Sequence, residues 1–387
     1  MSIPTSQRYY ALDVFRGATV ALMILVNNPG SWAHIYAPLE HAPWNGCTPT
    51  DLVFPFFLFA VGNAMAFVMP RLRDGGSSAF WKKTIRRSIL IFLIGLLLNW
   101  FPFVRYDATG HLVAKTFEKL RILGVLQRIA ICYFFAAIII FYGRTRGAFT
   151  IAAIILLIYW GICILLGSPG DPFSLEGFFG THLDRIVLGS GHIYHGEGVD
   201  FDPEGLASTL PAIVNVIFGY LVGEYILQKG KNWEMLSNLF VAGIILTGAG
   251  YLWDMSFPIN KKIWTSSYVL YTAGLATIIL ALLIYTIEFR GKRGAWSRFF
   301  DVFGKNPLFI FALSAVVVKC YSLFRIPDGI SADGNPAFKG LGAWMYDHLF
   351  APTFGMLNGS LLYAIFHIIV FWMICVWLDR RKVYVKV

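Results

Sequence analysis

His41 and Asp51 lie in a loop that joins two strongly apolar stretches, and their side chains are the ones best suited to move a proton. The loop reads NNPGSWAHIYAPLEHAPWNGCTPTD, holds no Lys or Arg, and runs directly into LVFPFFLFAVG. An imidazole titrates near neutrality, so it can take and return a proton, and its nitrogen can also carry an acyl group. A carboxylate beside it would orient the ring and set its tautomer. Asn27 and Asn28 open the loop, and the PWNG turn, with Trp44 and Asn45, follows the histidine. Amides beside a base can steady an oxyanion. Plainer readings stand next to these: a loop histidine can be solvated or capping, and Thr50 and Asp51 are good helix N-caps. Ionisable groups at a bilayer edge are costly and tend to mark function.

Other candidates are spread along the chain. Arg128, in GVLQRIAICYF, falls about 11 Å inside an expected span by helical rise and needs a partner there, for which Asp51 or Glu204 would serve. Asp202 and Glu204 sit in DPEGLASTLPAI, acidic residues at a helix start, where the macrodipole favours them. Asp13 and Arg16 in LDVFRG are spaced to pair on one helix face. His192 and His195 share a glycine-rich loop with Asp200 and Asp202, but no third and fourth ligand stands at a telling spacing, so no metal site is expected. His348 and His367 read as packing histidines, and the five scattered cysteines as small hydrophobes. Walker A, dinucleotide-glycine, GxSxG and HExxH patterns are absent, which argues against the familiar hydrolases and nucleotidases.

These residues need a frame, and composition supplies it. Of 387 residues, 57% are hydrophobic and only 14% charged, against about 25% charged in an ordinary soluble domain. The expected fold is an all-α polytopic membrane protein, a single domain over residues 1–387, because helices satisfy their own backbone in lipid. Ten spans are expected, near 11–28, 51–70, 87–104, 121–142, 147–167, 208–228, 235–254, 266–288, 305–324 and 359–379. With the N-terminus in the cytoplasm, nineteen cations fall on cytoplasmic segments and nine on the other face. The positive-inside rule thus places both termini in the cytoplasm. The net charge of +10 therefore reflects topology rather than nucleic-acid binding. The first ten residues do not read as a cleavable signal, and the first span is expected to target the chain. WMYDHLFAP has the spacing of a short helix on the outer surface.

The motifs LDVFRG, LVNN, HAPWNG followed by DLVFPFFLFAVG, GVLQRIAICYF, DPEGLASTLPAI, KKIWTSSYVLYTAG and GKNPLFIF occur here in one order. In that order they resemble the heparan-α-glucosaminide N-acetyltransferase family, in the form of its bacterial members, from about residue 8 onward. The resemblance implies transfer of acetyl from cytoplasmic acetyl-CoA to an amino sugar across the membrane. It implies that His41 is the catalytic histidine, Asn27 its nearby asparagine, Asp51 the acid that follows and Arg128 the arginine of GVLQR. The N-terminal lumenal portion of the animal enzyme has no counterpart here, which leads us to expect a bacterial cytoplasmic membrane.

The reading is then a transmembrane acetyltransferase with acetyl-CoA as co-substrate and glucosamine or a glucosamine-containing glycan as acceptor. Trp44, Asn45, Asp202 and Glu204 are candidates for the acceptor site. The phosphates of coenzyme A cannot enter hydrocarbon, so Arg71, Arg73, Arg380, Arg381, Lys382 and Lys386 are candidates to hold them, although topology alone would also put cations there. Expected partners are acetyl-CoA, the amino sugar and the lipid bilayer, with no nucleic acid; a homodimer stays open. The rival readings are an amino-sugar transporter and an O-acetyltransferase of an envelope polysaccharide. Transporters often show paired repeats, and none is present.

Overall fold

The computed structural model describes residues 9–107, 110–330 and 336–385. The architecture is helical: α1 (Tyr10–Asn27), α2 (Val53–Asp74), α3 (Gly76–Trp100), α4 (Val125–Leu166), α5 (Phe179–Leu188), α6 (Leu206–Lys229), α7 (Trp233–Trp253) and α8 (Ser266–Ile284). It continues with α9 (Ala295–Lys305), α10 (Pro307–Tyr321), α11 (Leu341–Met345), α12 (Ala351–Phe354) and α13 (Met356–Arg380). Two short antiparallel hairpins, Val104–Tyr106 with Leu112–Ala114 and Ile326–Ile330 with Pro336–Lys339, lie in the connections.

Among the described residues seven helices are long and apolar enough to cross a bilayer, or eight if the bent pair α9–α10 counts as one span. The chain is a multi-pass membrane protein, but the count of ten is not reached on that measure. Two features account for the difference. The 42-residue α4 runs through two of the expected spans, 121–142 and 147–167, with its backbone broken between them at Arg144 (φ 53°, ψ −164°). The first half of α3 carries Lys82, Lys83, Arg86 and Arg87, which dilutes its apolar run. The expected span near 305–324 is α10, set at 82° to α9 across Asn306.

The core is built where helices come closest. At Gly62 on α2 an added Cβ would sit 1.9 Å from the Val216 carbonyl oxygen, and at Gly219 on α6 one would sit 2.0 Å from that of Phe59. Absent side chains let these two backbones touch, the usual device where lipid gives no hydrophobic drive between helices. Phe15, Phe56 and Phe59 fill the adjoining layer, with the Phe15 and Phe56 rings 5.6 Å apart. Over one end of this bundle fold the 28–52 loop, the segment 167–205 with α5, and the α7–α8 connection, and there the candidate residues meet. The WMYDHLFAP segment is indeed helical, as α11, a π turn over Tyr346–Phe350, and α12.

Candidate active site

Local sequence fixes Asp51 first. Thr48 caps the 3-10 turn Pro49–Leu52 that leads into α2, with proline at its first position and Asp51 reaching back to the cap. Asp51 Oδ2 accepts from Thr48 N at 3.0 Å, Thr48 Oγ1 at 3.1 Å and Ala42 N at 3.0 Å. The capping residue is therefore Thr48, two residues before Thr50. Holding Ala42 draws its neighbour His41 onto the same carboxylate, and His41 Nδ1 lies 2.7 Å from Asp51 Oδ1. Asp51 is 1% exposed while the His41 side chain is 46% exposed, so a buried anchor holds an accessible ring.

This contact decides the tautomer. An ionised carboxylate only accepts, so Nδ1 must carry the proton it donates, and the lone pair of the neutral ring is then on Nε2. Lys261, from the α7–α8 connection, places Nζ 3.4 Å from Asp51 Oδ1 and 3.1 Å from His41 Nδ1. Burial lowers the Lys261 pKa, against the pull of Asp51 and Glu204. Tyr268 on α8 donates to the Asp51 carbonyl at 2.6 Å, and Gly46 N donates to the Ile259 carbonyl at 2.7 Å. Asn260 Nδ2 donates to Asn45 Oδ1 at 3.1 Å. The histidine loop and the α7–α8 connection are thus laced together.

A second cluster lies beside the first. Arg121 bonds Asp202 through Nε at 2.9 Å and also contacts Glu204. Against the upward push of burial, Arg121 and then Arg128 hold the Glu204 carboxyl below its usual range. Arg128 is fully buried and donates to the Gly205 carbonyl at 3.2 Å and to Ser208 Oγ, with its guanidinium 5.0 Å from the Trp264 ring centre. The expected ion pair of Arg128 with Asp51 or Glu204 is not formed. Arg121, partly exposed at the mouth, takes the carboxylates, because it reaches them with less desolvation than the fully buried Arg128 in the first turn of α4.

Two cavities adjoin His41. An outer one of 260 Å³ is lined by Trp44, Tyr194, Glu197, Arg121 and Lys262 among others. An inner one of 160 Å³ is mainly apolar, with Met23, Val26, Phe54, Phe57, Ile129 and Phe311 in its wall. His41, Val125, Glu204 and Lys261 line both. Asn27 lines the inner cavity, while Asn28 is buried and bonds the Ile24 carbonyl at 2.7 Å. Trp44 is fixed by donation from Nε1 to the Phe173 carbonyl at 2.9 Å, with Lys262 over its ring.

The structure gathers His41, Asp51, Asn27, Trp44 and Glu204 at the two cavities. It leaves Asn45 and Asp202 bonded just behind them and Arg128 in the packing below. The candidate phosphate contacts are at the opposite end. Arg71 is exposed, Arg73 bonds the Ile140 carbonyl at 2.9 Å, and Arg380, Arg381 and Lys382 are exposed at the end of α13. Lys386 lies outside the described residues. His195 pairs with Asp200 at 2.6 Å, and His192 bonds the Leu120 carbonyl. Sequence reasoning did not single out Lys261, Arg121, Tyr194 or Tyr268. For Lys261 the signal was present in KKIWTSSYVLYTAG, as adjacent cations between two apolar helices.

Residues 8–175, which include His41, Asp51 and Arg128, match the family model described as heparan-alpha-glucosaminide N-acetyltransferase, catalytic. Over this stretch the chain is similar to that family. The human protein named heparan-alpha-glucosaminide N-acetyltransferase is 28% identical over 338 residues, covering 73% of this chain and 49% of its own. The mouse protein of that name is 27% identical over 346 residues, covering 74% of this chain and 50% of its own. The chain spans about half the length of the curated relatives it matches.

Proposed function

We propose that the chain is an acetyl-CoA-dependent N-acetyltransferase that delivers acetyl to the amine of glucosamine or a glucosamine-containing glycan. The observation that carries this reading is the position of His41 on the partition between one cavity lined largely by charged side chains and another lined mainly by apolar ones, with Nδ1 engaged and Nε2 available. The apolar inner cavity suits the thin, uncharged pantetheine arm and its thioester. The outer one, with Glu197, Glu204 and the ring of Trp44, suits a polar acceptor bearing an amine.

In the reaction, the amine nitrogen attacks the thioester carbonyl carbon as His41 Nε2 takes the amine proton. The C–S bond breaks, and the thiolate of coenzyme A leaves, receiving the proton from the imidazolium. Asp51 holds the ring in the required tautomer and balances its transient charge. Asn27 is assigned to the developing oxyanion. Arg128 holds the α6 N-terminus through Gly205 and Ser208, which sets Glu204 in the cavity wall. Both cavities meet at the ring, so both substrates can be present together and acetyl passes directly.

The exposed cations at the opposite end, Arg71, Arg380, Arg381 and Lys382, with Arg73 and Lys386, are assigned to the cytoplasmic face, where the phosphates of coenzyme A belong. The His41 end then faces outward, in a bacterial inner membrane. The test is transfer from labelled acetyl-CoA to glucosamine by the purified protein. N-acetylglucosamine formation supports the reading. Uptake of glucosamine without acetyl-CoA would replace it with the transporter, and acetylation of an acceptor whose amine is blocked would replace it with O-acetylation. Acetyl trapped on His41 with donor alone would overturn direct transfer.

A further inference from the structure

Two adjacent lysines in the α7–α8 connection have diverged in what they touch. Lys262 pairs with Glu197 at 2.5 Å and lies over Trp44, on the outer cavity wall. Lys261 turns inward, to the His41–Asp51 pair, and lines both cavities. Asp51 does not need it for hydrogen bonding: Oδ2 already has two backbone amides and Oδ1 has the imidazole. Nδ1 gives its proton to Asp51, so at 3.1 Å the ammonium is a neighbouring charge to the ring rather than a hydrogen-bond donor to it.

We propose that Lys261 is a positioning residue for the acetyl transfer, acting through Asp51 and His41. Its charge holds Asp51 as the carboxylate that fixes the tautomer, and opposes a second positive charge on the ring until the acceptor amine supplies the proton. The proposal rests on the transferase reading above. The charge balance around the ring can be followed element by element. Asp51 faces it from the turn before α2, Lys261 from the α7–α8 connection and Glu204 from the segment before α6. Glu204 shares Arg121 with Asp202 and has the buried Arg128 as a second cation, and Glu197 is paired with Lys262, so these carboxylates have cations of their own. The nearby Cys47 thiol is pushed up to about 12 by burial and carries no charge at neutral pH. Lys261 is therefore the cation set against the Asp51 carboxylate. Without it, a protonated ring and Asp51 would form a stable ion pair and the base would be spent before the acceptor arrived.

The experiment follows kcat and KM for acetyl-CoA across pH in wild type, Lys261→Met and Lys261→Arg, with acetyl-CoA binding as the measure of folded protein. The expected result for Lys261→Met is a kcat lower by about tenfold at neutral pH. Its KM for acetyl-CoA stays within about twofold, since the donor's arm meets the apolar wall. The acid limb of its profile moves to higher pH by roughly one unit, whereas Lys261→Arg keeps the wild-type limb. A methionine variant whose acid limb coincides with wild type, or whose loss lies in KM alone, would overturn the proposal. Should Lys261→Met fail to bind acetyl-CoA, Lys261→Gln, which keeps a donor but not the charge, is judged by the same two criteria. A wild-type protein that transfers nothing removes the transferase reading itself, an outcome distinct from an active wild type with an indifferent variant.

Discussion

At the scale of the residue, the exposed ring of His41 on a buried carboxylate gives sharp expectations. His41→Ala removes the proposed base and should lower transfer on the order of 10²–10⁴-fold. Acetyl-CoA binding should persist, because the cavity assigned to the donor is walled mainly by α1, α2 and α4 side chains. Radiolabelled transfer and equilibrium binding on one preparation separate the two. Asp51→Asn is a subtler change. The amide can donate to Nδ1, which moves the ring proton to Nε2 and blocks the base without moving the ring. A loss of about 10³–10⁴-fold is expected, read as kcat with KM preserved. Equal activity in Asp51→Asn would show that the tautomer argument is wrong.

At the scale of the element, the site depends on connections that are held rather than free. The 28–52 loop is pinned at Asp51, at Gly46 and at Trp44, and each pin comes from a different part of the chain. The α2–α6 contact is the rigid seat beneath, since α2 carries the Asp51 turn at one end and α6 begins just after Glu204. Gly219→Val would drive a methyl group into the Phe59 carbonyl, 2.0 Å from where its Cβ must stand. A destabilisation of at least about 3 kcal/mol is expected, seen as a fall in the melting temperature with loss of acetyl-CoA binding. Gly230→Ala, where nothing lies within 4 Å, has no such clash and differs only in its φ of 68°. Its smaller effect serves as the comparison.

At the scale of the whole molecule, charge placement makes stability depend on pH and fixes orientation. Asp184 on α5 is buried, and burial pushes its carboxyl up to about 6, against the Leu206 amide that donates to it at 2.9 Å. Because the folded state holds this proton more tightly than the unfolded one, stability is greatest below the unfolded value near 3.8 and falls as pH rises through about 6. Asp184→Asn should therefore raise the melting temperature at pH 8, by up to about 3 kcal/mol of stability, with the gain vanishing towards pH 4. A gain independent of pH would contradict this. For orientation, single cysteines at Glu40 and Lys231, in a chain whose five native cysteines are replaced, mark the two ends. A membrane-impermeant maleimide added to intact cells should label Glu40→Cys and leave Lys231→Cys unreacted; the reverse pattern would invert the proposed sidedness.

Composition and local spacing were enough for the fold class and for the pairing of His41 with Asp51. An apolar run cannot cross lipid except as a helix, and composition alone carries that inference. His41 and Asp51 were legible because they are close in the chain, within reach of one capping turn. Arg128 was legible as a buried charge, but its partner was not. Ser208, the Gly205 carbonyl and Trp264 are brought to it by α6 and the α7–α8 connection, and no local pattern encodes that approach. The same reason hid Lys261, which is 220 residues from the histidine it faces. The number of spans differs for a physical reason too: GRTRG at 143–147 interrupts the apolar run where the backbone breaks at Arg144, yet the helix resumes at once, so two expected spans form one 42-residue α4. Tertiary structure alone decided that two cavities meet at one ring, since cavities are the space left between helices after packing.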